Sequence, residues 1–262
     1  MQKIKTIIRK EWAEVFKNRM VLFTVIFLPL MMTALPLIIL FATHDSGMDA
    51  VNTQLPEQFA QFCKEGLTTG ECFQVYMVSQ FLLMFMMIPL IIPINIAAYS
   101  VVGEKTNRSL EPLLATPITT AELLTAKNLA ATIPAVLATW VGFALFALGA
   151  LIISGSKEMA GALLDPMWLL AVLLVGPLMA VLSVNFSIMV SSRVNDPRVA
   201  EQVSTVVILP LLALFFGQIA GWFFLNKTLV LIIALALAVI DVGLVYLAVR
   251  MFQRENILTR WK

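Results

Sequence analysis

Six runs of apolar residues alternate with short polar segments along the chain: 20–42, 76–102, 129–153, 167–190, 203–225 and 229–249. A helix needs about 20 apolar residues to cross a bilayer core of ~30 Å, and each run reaches that length with few or no charges. Ahead of the first run the period changes. Ile4, Ile7, Ile8, Trp12, Val15 and Phe16 recur at helical spacing, while Lys3, Lys5, Arg9, Lys10, Glu14 and Lys17 mostly fall elsewhere around the wheel. This pattern predicts an amphipathic helix within residues 1–19 that lies in the membrane interface. The basic stretch is too long, and the apolar run after it too complete a span, for a secretory signal. The expected fold class is an all-α integral membrane protein: an interfacial N-terminal helix, then one six-helix transmembrane domain over 20–262.

Composition agrees, with 60% apolar and 13% charged residues against about 25% charged in an ordinary soluble domain. Charge adds orientation. Residues 1–19, 103–128, 191–202 and 250–262 hold fifteen of the 18 Lys and Arg, and the opposite loops hold only Lys64, Lys157 and Lys227. The positive-inside rule then makes both termini cytoplasmic in a multi-pass protein of the plasma (cell inner) membrane. A net charge of +2 gives no reason to expect nucleic acid as a partner. Cys63 and Cys72, the only cysteines, fall in the longest outer loop with Gly66 and Gly70 between them. On an oxidising side this predicts a disulfide.

Several chemistries are excluded. The chain has no G-x-x-x-x-G-K-[ST] phosphate loop and so cannot be its own ATPase. Its sole histidine, His44, rules out H-E-x-x-H zinc chemistry. Asp45 and Ser46 are its immediate neighbours, and three adjacent loop residues cannot set up nucleophile, base and orienter in line. Only Asp241 lies at membrane depth, where an intramembrane aspartyl protease needs two carboxylates. No catalytic, cofactor or metal residue is expected. A protonated Asp241 is expected to donate one interhelical hydrogen bond, with Asn185 as first candidate partner, and the alternative is a cation or proton site formed by an ionised Asp241 with Asn185.

The polar segment GEKTNRSLEPLLATPITTAELLTAKN, residues 103–128, stands out between two spans. Thr119 and Glu122 match a capping box, which starts a helix running into the third span. Ser109 can cap a shorter helix, with Glu111 and Pro112 in its first turn and Pro117 to end it. Leu110, Leu113 and Leu114 then share one face. A helix this short cannot bury that face alone, so either the membrane interface or a cytoplasmic partner takes it. In the second span, Pro89 and Pro93 predict a kink. In the fifth, Gly217 and Gly221 form a small-xxx-small pattern suited to a turn or a helix contact. Asp196 and Pro197 read as the cap and first turn of a further helix. Met31, Met32, Met84, Met86 and Met87 gather in the first two spans, where they suit packing or adaptable apolar binding.

The stretch GEK…SLEPLLATPITTAELLTAK resembles the signature between the second and third spans of type-2 ABC exporter permeases. It is closest to the branch that includes sodium-efflux and drug-efflux permeases. VSSRVNDPRVAEQVS (190–204) and YLAVRMFQRENIL (246–258) agree with it. The resemblance implies that the segment is a coupling helix docking on a separate nucleotide-binding ATPase subunit, which binds ATP and Mg. Leu110, Leu113 and Leu114 would fill a groove of that subunit, with Arg108 and Glu111 at its rim. Glu104 and Lys105 match the family's Gly-Glu-Lys, and Glu104 counts among the ATPase-coupling residues. It further implies two permease copies meeting through the second and fifth spans, and a re-entrant helix after the fifth. The rival readings are an ATPase-independent secondary transporter and a non-transporting membrane scaffold.

Overall fold

A computed structural model describes residues 2–44, 69–107, 118–153, 160–162, 164–223 and 225–251, and among these every regular element is helical. In chain order these are α1 (Gln2–Val15), α2 (Arg19–His44), α3 (Thr69–Phe85), α4 (Ile88–Thr106), α5 (Thr120–Ile153) and α6 (Pro166–Leu170). A π-helical turn over Ala171–Val175 then leads into α7 (Gly176–Ser191). α8 (Pro197–Ser204), a 3₁₀ stretch (Thr205–Ile208), α9 (Leu209–Ile219) and α10 (Lys227–Met251) follow. Among the described residues, six helical segments are long and apolar enough to span a membrane. α2, α5 and α10 each supply one. The second joins α3 to α4, the fourth runs through the π turn into α7, and the fifth comprises α8, the 3₁₀ stretch and α9.

Local chemistry explains the boundaries. Pro89 has no N–H to offer the Phe85 carbonyl one turn back, so α3 stops at Phe85 and the second span is broken at Met86 and Met87. Three-residue bonds bridge the break, from Met86 N to Leu83 O (3.1 Å) and from Met87 N to Met84 O (2.9 Å). The third span begins nine residues before its apolar run because the capping box forms. Glu122 N donates to Thr119 Oγ1 at 3.2 Å, and Thr119 N donates to Glu122 Oε2 at 2.9 Å. Asp196 caps α8 by accepting from Arg198 N at 2.8 Å, with Pro197 in the first turn.

The fifth span ends at Ile219, earlier than its apolar run, which continues to 225. Gly221 takes a left-handed φ of 73°. Gly221 N bonds Gln218 O and Trp222 N bonds Gly217 O, the two bonds of a Schellman motif. Gly217 makes room for the Phe223 ring, which would lie only 2.7 Å from a Cβ at that position. The glycine pair therefore builds a turn. α10 begins at Lys227, and the re-entrant helix expected after the fifth span does not occur among the described residues of 220–226.

The second span is the axis of the bundle. Its apolar core is 78% buried within the chain, against 22% for the first and fifth spans and 17% for the sixth. α4 packs between α5 and α7, α2 lies on α5, and α10 lies on α7. Of the two spans expected to meet a second copy, the second is thus enclosed by its own chain. The fifth presents an open apolar face, including Val199, Val203, Val206, Leu209 and Phe216.

Candidate functional site

At the α1 end of the bundle, three helices converge on four charged side chains. α1 is laid across α5 by its apolar stripe: Ile7 packs with Leu123 and Ala126, and Trp12 Nε1 donates to Ala130 O at 2.9 Å. Glu11 falls within that stripe, and docking carries it inside. Glu11, Glu104 on α4 and Lys127 on α5 are 2%, 4% and 5% exposed, respectively. Burying any one of them unpaired would be strongly destabilising.

They are not unpaired. An ammonium has three N–H donors, and Lys127 Nζ reaches Glu11 Oε1 at 2.9 Å, Ser100 Oγ at 2.8 Å and Glu104 Oε2 at 2.8 Å. Ser100 Oγ donates in turn to Glu11 Oε2 at 2.5 Å. Lys10 Nζ donates to Glu104 Oε1 at 2.8 Å and lies 3.7 Å from Glu14. Two lysines against two buried glutamates make the core of the cluster formally neutral. Its low dielectric strengthens each contact and penalises the loss of any member. At Lys10, burial works against the charge, but the hydrogen bond and charge of Glu104, together with Glu11 and Glu14, outweigh it and raise the pKa above 10.5. The stabilisation from this raised pKa is complete below the ordinary lysine value and is lost only as pH rises through the folded one. Neutral pH lies well inside that window.

Lys105, the next residue along from Glu104, points elsewhere. Its Nζ donates to Ser192 O at 3.2 Å and Val194 O at 3.4 Å, just past the C-terminus of α7, where a cation meets the negative end of the helix. Adjacent residues thus fasten the end of the second span to α1 and α5 on one side and to the fourth span on the other. Beside the cluster, a cavity of about 420 Å³ is lined by Glu11, Glu14, Lys17, Tyr99, Glu104 and Asn107, among others.

Of the residues singled out in the sequence, Glu104 is at this site. Its carboxylate is almost fully buried, and Lys127 and Lys10 engage both of its oxygens. Arg108, Leu110, Glu111, Leu113 and Leu114 lie outside the described residues, as does Cys63. Cys72 is disulfide-bonded. Asp241 and Asn185 are not joined by a hydrogen bond. Asn185 Oδ1 accepts from Asn128 Nδ2 at 2.9 Å and its Nδ2 donates to Val181 O at 2.9 Å, whereas neither Asp241 oxygen has a hydrogen-bond partner among the described residues. Asp241 lies on the buried face of α10 with Val230, Ala234 and Ala248. Among the described residues, no three His, Cys, Asp or Glu side chains are grouped to hold a metal ion.

Glu11, Ser100 and Lys127 were not singled out from sequence. The available signal was a carboxylate inside an apolar stripe, with Glu11 at i+4 from Ile7 and i−4 from Val15. The arrangement offers no nucleophile paired with a base. It can hold three helices in one fixed relation at the two ends of segment 107–118. Over residues 5–251 the chain matches the family model described as ABC-2 family transporter protein. No curated protein matches it.

Proposed function

The chain belongs to the ABC-2 family of transporters, and on that premise we propose that this membrane-spanning permease works as an exporter driven by a separate nucleotide-binding ATPase subunit. The observation that carries this reading is the buried Glu11–Lys127–Glu104–Lys10 cluster. It joins the helices that enter and leave the 107–118 segment, where the family's coupling helix would stand. A push on Leu110, Leu113 and Leu114 from the ATPase then acts on a clamped base. Glu104 and Lys105 pass it to the lower half of the second span, and the break at Met86–Met87 lets α4 move relative to α3. ATP and Mg sit on the partner subunit. Two permease copies complete the exporter, with the α1 end and both termini in the cytoplasm of a plasma (cell inner) membrane protein.

Copurification tests the reading. The tagged chain extracted in mild detergent is expected to bring down a P-loop ATPase in a one-to-one ratio, and transport should require it. Transport by the chain reconstituted alone would instead establish the secondary-transporter alternative.

Asp241 supports a second reading, a cation site within the membrane, because its carboxylate is buried without a hydrogen-bond partner among the described residues. The expected result for Asp241→Asn, which keeps shape and removes charge, is wild-type transport with normal assembly. Normal assembly with lost transport would favour the cation site.

A further inference from the structure

At the end of the bundle far from α1, a space of about 40 Å³ lies between the second, fourth, fifth and sixth spans. Its wall is wholly apolar and includes Met86, Trp168, Ala171, Leu211, Leu214 and Val230. By the same measure a single water needs about 10–15 Å³, so the space takes a few methylene-sized groups. Two of its walls are irregular backbone. Met86 stands in the break of the second span, and Ala171 and Val175 belong to the π turn of the fourth. Irregular helix turns at membrane depth are tolerated where they line a cavity or are buried in protein, and π turns cluster at functional sites.

Two glutamines stand further outward on the same helix faces. Gln80 lies one turn from Leu83, which also lines the space, and Gln218 lies one turn from Leu214. They are 7% and 3% exposed, and Gln80 Nε2, Gln80 Oε1 and Gln218 Oε1 have no hydrogen-bond partner among the described residues. α9 also touches α3. Buried amides without partners are costly, and a ligand offering both a donor and an acceptor would relieve the cost.

We infer that this space is a binding site for an uncharged amphiphile, whose apolar chain end enters between Met86 and Ala171 and whose hydrogen-bonding end meets Gln80 and Gln218. No charged side chain lines the wall, so an inorganic cation finds no ligand there. The inference rests on the transporter reading and assigns its substrate class: neutral and amphiphilic, reaching the site from the lipid.

The test is photolabelling of the full chain in lipid nanodiscs with an eight-carbon primary amide bearing a terminal alkyl diazirine. Labelling is expected to saturate, to map to residues 83–87 and 167–179, and to be competed by the unlabelled amide but not by an eight-carbon trimethylammonium. Ala171→Leu, which fills the space, should abolish the saturable part. Gln218→Leu should weaken it roughly 2–10-fold, the loss of one hydrogen bond. Unsaturable labelling spread over the lipid-facing residues of α2 and α5 would overturn the inference, as would equal competition by the cation. Labelling needs neither ATP nor a partner, so its failure leaves the transporter reading standing, and copurification decides that reading separately.

Discussion

Lys127→Met is expected to destabilise the protein by about 3–5 kcal/mol, the range for breaking a buried ion pair from one side. The substitution keeps the length of the side chain but removes the one cation that touches both buried glutamates. Glu11 then retains only Ser100 among these partners, and Glu104 retains only Lys10. Two nearly buried carboxylates would then be left with Lys10 as the one neighbouring lysine of the four-residue cluster. The docking of α1 on α5 should loosen, because it then rests on the Trp12 hydrogen bond and on the apolar packing of Ile4, Ile7 and Ile8. The thermal midpoint in detergent should fall by several degrees, and transport should be lost. Charge balance, rather than any single contact, is the cause, so Glu11→Gln added to Lys127→Met should recover most of the midpoint by leaving Lys10 and Glu104 as the only ions of the four-residue cluster. A Lys127→Met protein with an unchanged midpoint would show that the cluster is not a structural clamp.

The spans were legible in the sequence because lipid leaves a chain few choices: about 20 apolar residues with internally satisfied backbone form a helix. Proline and capping signals placed the break near Pro89, the start at Thr119 and the cap at Asp196, since each acts within one turn. Misreadings arose where an apolar run outlasted its helix. Trp222 and Phe223 read as membrane-spanning, yet the left-handed Gly221 had already ended α9. The site was half legible. Glu104 carried a family motif, but Lys127 counted only as a positive loop charge and Glu11 was passed over inside an apolar face. Their pairing joins residues 116 apart in the chain, and no local period reports a contact of that span. Asn185 was likewise matched to Asp241 by depth, whereas its hydrogen bonds go to Asn128 and Val181.

The second large effect concerns the 107–118 segment itself. If Leu110, Leu113 and Leu114 fill a groove on the ATPase, Leu113→Ser places a hydroxyl in an apolar pocket and removes most of a buried side chain, a loss of about 2–5 kcal/mol. That corresponds to roughly a 30-fold weaker complex at the lower end, since every 1.4 kcal/mol is tenfold. The spans should insert and pack as before, because the buried cluster and the α4–α7 contact do not involve residue 113. The most direct measurement is the amount of P-loop ATPase recovered per tagged permease, compared between wild type and Leu113→Ser at equal membrane expression and equal thermal midpoint. About one ATPase per wild-type chain is expected, and nearly none for the variant. Equal recovery from both would contradict docking through this segment, and no ATPase from wild type, with transport intact, would contradict the exporter itself.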